Sequence, residues 1–214
     1  MEHSGRSNSG LLLAMMEPPA GMEEEFQDWY DTEHFPERQG CAGFETAHRF
    51  VCIDGWPRYL AIYDLTDVEV LRGAAYAAIA VSRYSPWTHR VMSRMWGQFR
   101  AEGVQVYPGA ELIGRHGPGS RLVLWRFRAV AASQEAALVA AFRTMYEARS
   151  ETAQVRLFRV AQPDANDYLG MVELRGPAAQ PDIALLGELG RQVDLVNTYV
   201  RYVRQAPNAF PART

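Results

Sequence analysis

Apolar and polar positions along the chain change rhythm in an order that runs twice. An unbroken apolar run, Leu11 to Met16, suits a buried strand. Pro18, Pro19 and Gly21 punctuate it, and a helical pattern covers about 22–35. GFETAHRFVCI (43–53) has strand composition, Asp54-Gly55 is a turn signal, and RYLAIYDL (58–65) reads as the returning strand of a hairpin. Asp67 is placed to cap a helix reaching about residue 82, and 89–101 reads as a strand rich in Met, Trp and Phe.

The second half follows the same order. RLVLWRFRA (121–129) reads as a strand, Ser133 as the cap of a helix over about 134–149, and AQVRLFRV (153–160) as a strand. Pro163-Asp164 and Asn166-Asp167 mark a turn before the strand YLGMVEL (168–174); a short helix (182–190) and the strand VNTYVRYVR (196–204) complete it. Each half is therefore β-α-β-β-α-β, the ferredoxin-like unit. One such unit leaves a sheet face bare, and a second unit can cover it. The fold expected is α+β, with tandem ferredoxin-like repeats packed sheet to sheet into a barrel. Its parts are a disordered leader (1–10), a first repeat carrying the site (11–105), a second repeat (106–205) and a tail (206–214), with the loop-rich stretch 102–120 dividing the halves.

Composition narrows the function. A formal net charge of −3 over 214 residues gives no basic footprint for nucleic acid. The apolar runs fall far short of the roughly 20 residues of a membrane span, and the polar start does not read as a signal segment. Cys41 and Cys52 make neither a disulfide framework nor a zinc site and read as reduced thiols of a cytoplasmic protein. All 22 basic residues are arginine. Without a lysine, Schiff-base chemistry and a P-loop are closed to the chain. No GxGxxG or GxSxG occurs, and the five histidines include no i, i+4 pair and no HExxH, so neither metal nor cofactor is expected.

The chemistry concentrates in FQDWYDTEHFPER (26–38). On a helix, Phe26, Tyr30 and His34 share a face, and Trp29 stacks with Glu33 beside them. Pro36 disfavours helical geometry at Phe35, which would leave His34 in the last turn. There the helix dipole, with Glu33 or Glu37, favours the imidazolium; alternatively His34 works as a base near neutral pH. The plainer alternative is that His34 caps carbonyls while the two rings pack the helix onto the sheet.

Alternation sets Phe44, Thr46, His48, Phe50 and Cys52 on one strand face, and Tyr59, Ala61, Tyr63 and Leu65 on one face of the next. With Ala47, Val51, Ile53, Leu60 and Ile62 given to the helices, the faces bearing His48, Tyr59 and Tyr63 would look into the barrel. His48 and the tyrosines have the alternative of ordinary core packing. YSPWTHR (84–90) reads as a loop over the barrel mouth that sets Trp87 against a flat ring and Arg90 against an acidic oxygen, or else as a subunit contact. The second half is poorer in such groups and reads as scaffold.

The tandem pattern, with DWYDTEHFPER after the first strand and GFETAHRFV as the second, resembles the EthD-like group of the dimeric α/β-barrel superfamily. The motif-level likeness covers residues 28–50, where Tyr30, His34 and Pro36 match the group's aromatic, histidine and proline. The resemblance implies a small-molecule pocket, a homodimer as a possible assembly, and chemistry that varies from isomerases and polyketide cyclases to cofactor-free monooxygenases and haem enzymes. His116, in the Gly-rich loop GRHGPG, is the second half's one histidine and would be a poor haem ligand. The expected function is cofactor-independent proton abstraction on an aromatic or polyketide-like substrate, leading to cyclisation, isomerisation or elimination, with a cofactor-free monooxygenase or a binding protein as alternatives. His34 and His48 would be the acid/base, Tyr30 and Tyr63 the oxyanion donors, and Trp29, Phe44, Phe50, Tyr59, Trp87 and Arg90 the substrate contacts.

Overall fold

The computed structural model describes residues 8–117, 119–161, 166–177 and 182–203. The first seven residues of the expected leader, the Pro163-Asp164 turn, Arg204 and the tail lie outside them. Among the described residues there are eight strands: β1 (Gly10–Glu17), β2 (His48–Asp54), β3 (Tyr59–Leu65), β4 (Trp96–Tyr107), β5 (Arg121–Phe127), β6 (Thr152–Val160), β7 (Tyr168–Leu174) and β8 (Val193–Arg201). They close into an antiparallel barrel in the order β1-β3-β2-β8-β5-β7-β6-β4. Within each half the order is the same, 4-1-3-2 and 8-5-7-6, and the seams are β2–β8 and β4–β6.

An eight-stranded barrel is just wide enough for its own side chains to fill, and this one is filled. Leu11, Leu13, Met15, Leu60, Ile62, Leu124, Phe158 and Met171 form one core drawn from both halves. The barrel centre is therefore packed, and the expectation that Tyr59 and Tyr63 look into it is corrected. Hairpin register explains why: His48 pairs with Ile62 and Phe50 with Leu60. Directly opposed residues project to the same side of a sheet, so Leu60 and Ile62 follow Phe50 inward and Tyr59, Ala61 and Tyr63 turn outward to the helices.

Outside the barrel lie α1 (Glu23–Trp29), α2 (Phe35–Gln39), α3 (Ala74–Ala77) and α4 (Pro86–Met92) on the first half, and α5 (Glu135–Phe142) on the second. Three expectations shift here. The helix foreseen to residue 82 is broken: Asp67 does cap it, accepting from the Glu69 amide at 2.8 Å, but Gly73 is extended (φ −72°, ψ 159°) and only short turns follow. The strand foreseen from 89 begins at Trp96, because Ser85 caps α4 and Pro86 takes its first turn, where a missing N–H costs nothing. And β4 runs to Tyr107, through the division placed after 105. Among the described residues, no helix is long and apolar enough to cross a membrane, and Cys41 and Cys52 are free thiols.

Candidate functional site

Three glutamates, Glu23 to Glu25, open α1 where the helix dipole favours negative charge. The helix then passes through a π-turn, Tyr30–His34, and continues as α2. The Phe35 amide donates to the Tyr30 carbonyl, five residues back. Such a turn shifts the hydrogen-bond register just ahead of Pro36, which has no N–H to give. The helix therefore does not end at Pro36, a correction with a chemical consequence: His34 lies mid-helix and feels no C-terminal dipole.

The carboxylates expected to charge His34 are engaged elsewhere. Glu33 accepts from the Ser85 and Thr88 hydroxyls at 2.5 and 2.7 Å, and Thr88 in turn accepts from Trp29 Nε1 at 2.9 Å. This chain pins α4 to α1. Glu37 pairs with Arg38 at 3.0 Å. Buried beside Arg38 and Arg49, His34 is held well below the usual imidazole range, first by lost hydration and then by those two cations. It is a neutral imidazole at pH 7, not the cationic donor.

Tyr30, His34 and Arg38 stand four residues apart on the buried face of this helix, each under a tenth exposed. With Tyr63, Tyr76 and Arg100 they line a cavity of about 280 Å³ between the helix layer and the outer face of the sheet, walled further by Leu12, Met16 and Met92. Tyr30 Oη and Tyr63 Oη are buried with only each other as hydrogen-bonding neighbours among the described residues, and His34 Nδ1 is buried with none. Burial, and then the neighbouring Tyr30, hold the Tyr63 phenol well above its ordinary value, and burial raises Tyr30. Both stay protonated as donors. Arg49 stacks between the Tyr30 and Tyr202 rings, 4.1 Å from each centroid, and pairs with Asp31 at 2.5 Å. That sandwich fixes the Tyr30 ring from behind.

The other foreseen residues fall around this cavity or away from it. Trp29 backs the His34 ring at 4.3 Å between centroids, and Phe44 packs edge-on against Tyr63. Tyr59 gives its hydroxyl to Glu23. Trp87 and Arg90 both bind Glu25 from α4, at 3.2 and 2.6 Å, so YSPWTHR is a helix start rather than a loop over a barrel mouth. His48 and Phe50 lie across the sheet at one end of the barrel, where Arg201 meets His48 Nδ1 at 2.6 Å. Desolvation and then Arg201 bring His48 down to about 4. His34 and His48 therefore do not share a site. Sequence reading missed Arg38, Tyr76 and Arg100. The spacing 30-34-38 carried a signal for Arg38; Tyr76 and Arg100 arrive from separate elements and carried none.

The corresponding layer of the second half is solid. Trp125, Phe127, Phe142 and Tyr146 fill it, and the Trp125 indole donates to the Tyr146 hydroxyl at 3.0 Å. Gly170 has no side chain where Phe142 sits: a Cβ there would lie 2.4 Å from the ring. Among the described residues, no group of three or more His, Cys, Asp or Glu is placed to hold a metal ion.

No family model matches the chain, and no curated protein matches it. Solved structures do. An anthrone oxidase-like protein aligns over 95% of this chain and 94% of its own, with TM-score 0.61 and 10% identity. A heme-binding protein from Thermus thermophilus aligns over 91% and 92%, with TM-score 0.53 and 9% identity. A monooxygenase-like protein from Listeria innocua aligns over 92% and 96%, with TM-score 0.51 and 7% identity. At such identities the likeness speaks for the fold alone.

Proposed function

We propose that the protein is a cofactor-independent oxygenase of a flat phenolic or polyketide-like molecule, working in the cavity of the first half. The observation that carries this reading is a neutral, buried His34 beside two tyrosine hydroxyls that have only each other, and the Arg38 cation. A neutral imidazole takes a proton; hydroxyls and a guanidinium stabilise the oxyanion that results. In this reading His34 removes a proton from a methylene next to a conjugated carbonyl, and the enolate oxygen is held by Tyr30, Tyr63 and Arg38. Carbon then bonds to dioxygen, and the peroxide anion takes back the proton to give a hydroperoxide. Loss of water turns the former methylene into a carbonyl, so that the methylene compound and dioxygen give the ketone and water. The names of the anthrone oxidase-like and monooxygenase-like neighbours agree with this outcome.

The same donors and base also serve a proton-transfer cyclisation or isomerisation, because Tyr30 and Tyr63 remain protonated and can return the proton. Product analysis with and without air separates the two. Haem, suggested by one neighbour, does not fit this cavity. The second-half layer is filled by rings, and 280 Å³ lies at the small end of ligand pockets. No step runs through it. The repeated strand order supports reading the chain as two ferredoxin-like repeats that divide after β4, and the 30-34-36 motif supports an EthD-like affinity.

The test is oxygen uptake with anthrone and hydroxynaphthalene substrates, wild type against His34→Ala. The variant is expected to lose about 10²–10⁴-fold in kcat while still binding ligand. Unchanged turnover in His34→Ala would remove the base from this reading.

A further inference from the structure

The cavity just assigned as the site has an uneven charge. It is lined by two arginines, Arg38 and Arg100, and among the described residues no aspartate or glutamate lines it. The arginines come from different elements, Arg38 from α2 and Arg100 from β4. Arg38 is 2% exposed, with one nitrogen on Glu37 and another 3.3 Å from the Ile79 carbonyl. Arg100 differs: its side chain is 47% exposed, it pairs with Glu102 at 2.5 Å, and it donates to the Tyr76 hydroxyl at 3.3 Å. One cation is thus deep, in the company of His34, Tyr30 and Tyr63, and the other stands where solvent enters. Neither His34, which is neutral, nor the tyrosines offset them.

We infer that the ligand carries two acidic groups: a phenol or enol that lies deep against Arg38, and a carboxylate that Arg100 and Tyr76 receive at the mouth. The substrate class is then an aromatic or polyketide-like hydroxy acid rather than a neutral phenol. An arginine presents paired donors to a carboxylate, and a partly exposed one gives up little hydration to exchange Glu102 for a ligand. Glu102 is shared with Arg72, so a ligand carboxylate can take Arg100 without stranding that glutamate, whereas a neutral ring system would bring no acidic group to a cavity lined, among the described residues, by two cations and no acid.

This inference rests on the reading of the cavity as the active site, and its test reads binding so that the two fail separately. The probes are 3-hydroxy-2-naphthoate, 2-naphthoate and 2-naphthol, followed by their own fluorescence during titration with the protein. The hydroxy acid is expected to bind at least ten-fold tighter than 2-naphthol. Arg100→Gln is expected to remove most of that preference and to leave 2-naphthol within two-fold of its wild-type affinity. Arg38→Gln is expected to weaken all ligands that bear the hydroxyl. Equal affinity for the acid and the naphthol, or an Arg100→Gln variant that keeps the preference, would overturn the inference, while oxygen uptake with neutral anthrones would still uphold the catalytic reading. If no probe binds, both fall. Circular dichroism and thermal melting of each variant show that a lost preference is not lost folding.

Discussion

The two helix-sheet layers of this barrel are built alike and finished differently. Each begins with a helix that passes into a π-turn, Tyr30–His34 in one half and Arg143–Glu147 in the other, and each presses a buried tyrosine from that turn toward the sheet. In the second half Tyr146 receives the Trp125 indole proton, and Phe142 occupies the space that Gly170 leaves open. In the first half the Tyr30 and Tyr63 hydroxyls have only each other among the described residues, around a cavity of about 280 Å³. A buried polar group without a partner costs on the order of 1–3 kcal/mol. The first-half layer leaves His34 Nδ1 in that state beside an open cavity, where the second-half layer is closed by rings, which is the pattern of a site built to meet a ligand.

Emptying the solid layer gives the largest expected change. Phe142→Ala removes a fully buried ring that packs on Trp125 and Phe127, and chemical denaturation is expected to show a loss of about 3–5 kcal/mol. Oxygen uptake at the first-half site should survive wherever the variant is folded. A loss below about 1 kcal/mol would mean that this layer is not the packed core described here.

The paired tyrosines sharpen the contrast at smaller scale. Tyr146→Phe strands the Trp125 indole and is expected to cost about 1–3 kcal/mol with activity unchanged. Tyr63→Phe deletes a hydroxyl whose one hydrogen-bonding neighbour among the described residues is Tyr30, so the cost to stability should stay below about 1 kcal/mol, while turnover falls. If Tyr63→Phe destabilised as much as Tyr146→Phe, the first-half hydroxyls would be structural like the second's.

How much of this was legible in the chain follows the same division. The strand runs were readable because apolar alternation and turn residues are local signals, and seven of the eight strands fall near the runs that mark them. The eighth, β4, was offset, because Ser85 and Pro86 begin a helix inside what reads as strand composition. On β2 and β3 the alternation was right, but which face goes inward depends on pairing: only the His48↔Ile62 register decides it. Aliphatic faces suit a helix and a barrel interior equally well, so the residue types could not choose. Tyr30 and His34 were found because they sit one helical turn apart. Their partners Tyr63, Tyr76 and Arg100 come from three other elements, and the state of His34 depended on a π-turn that Pro36 seemed to rule out.

That state supplies the finest test. The His34 imidazole is depressed, by burial first and by Arg38 and Arg49 after it. Depression means the proton is bound more weakly in the folded protein than in the unfolded chain, whose imidazole titrates near 6.5. As the pH falls through 6.5 the unfolded chain gains protons first, so stability is complete above that value and drains away as the pH drops toward the folded value. The base, by the same sign, stays neutral through pH 6.5. The acid limb of kcat/KM is therefore expected below 6.5, and removing the Arg38 charge in Arg38→Gln should move it upward. An acid limb at or above 6.5, unmoved in Arg38→Gln, would describe a solvated imidazole and not the buried His34 on which the first-half site is built.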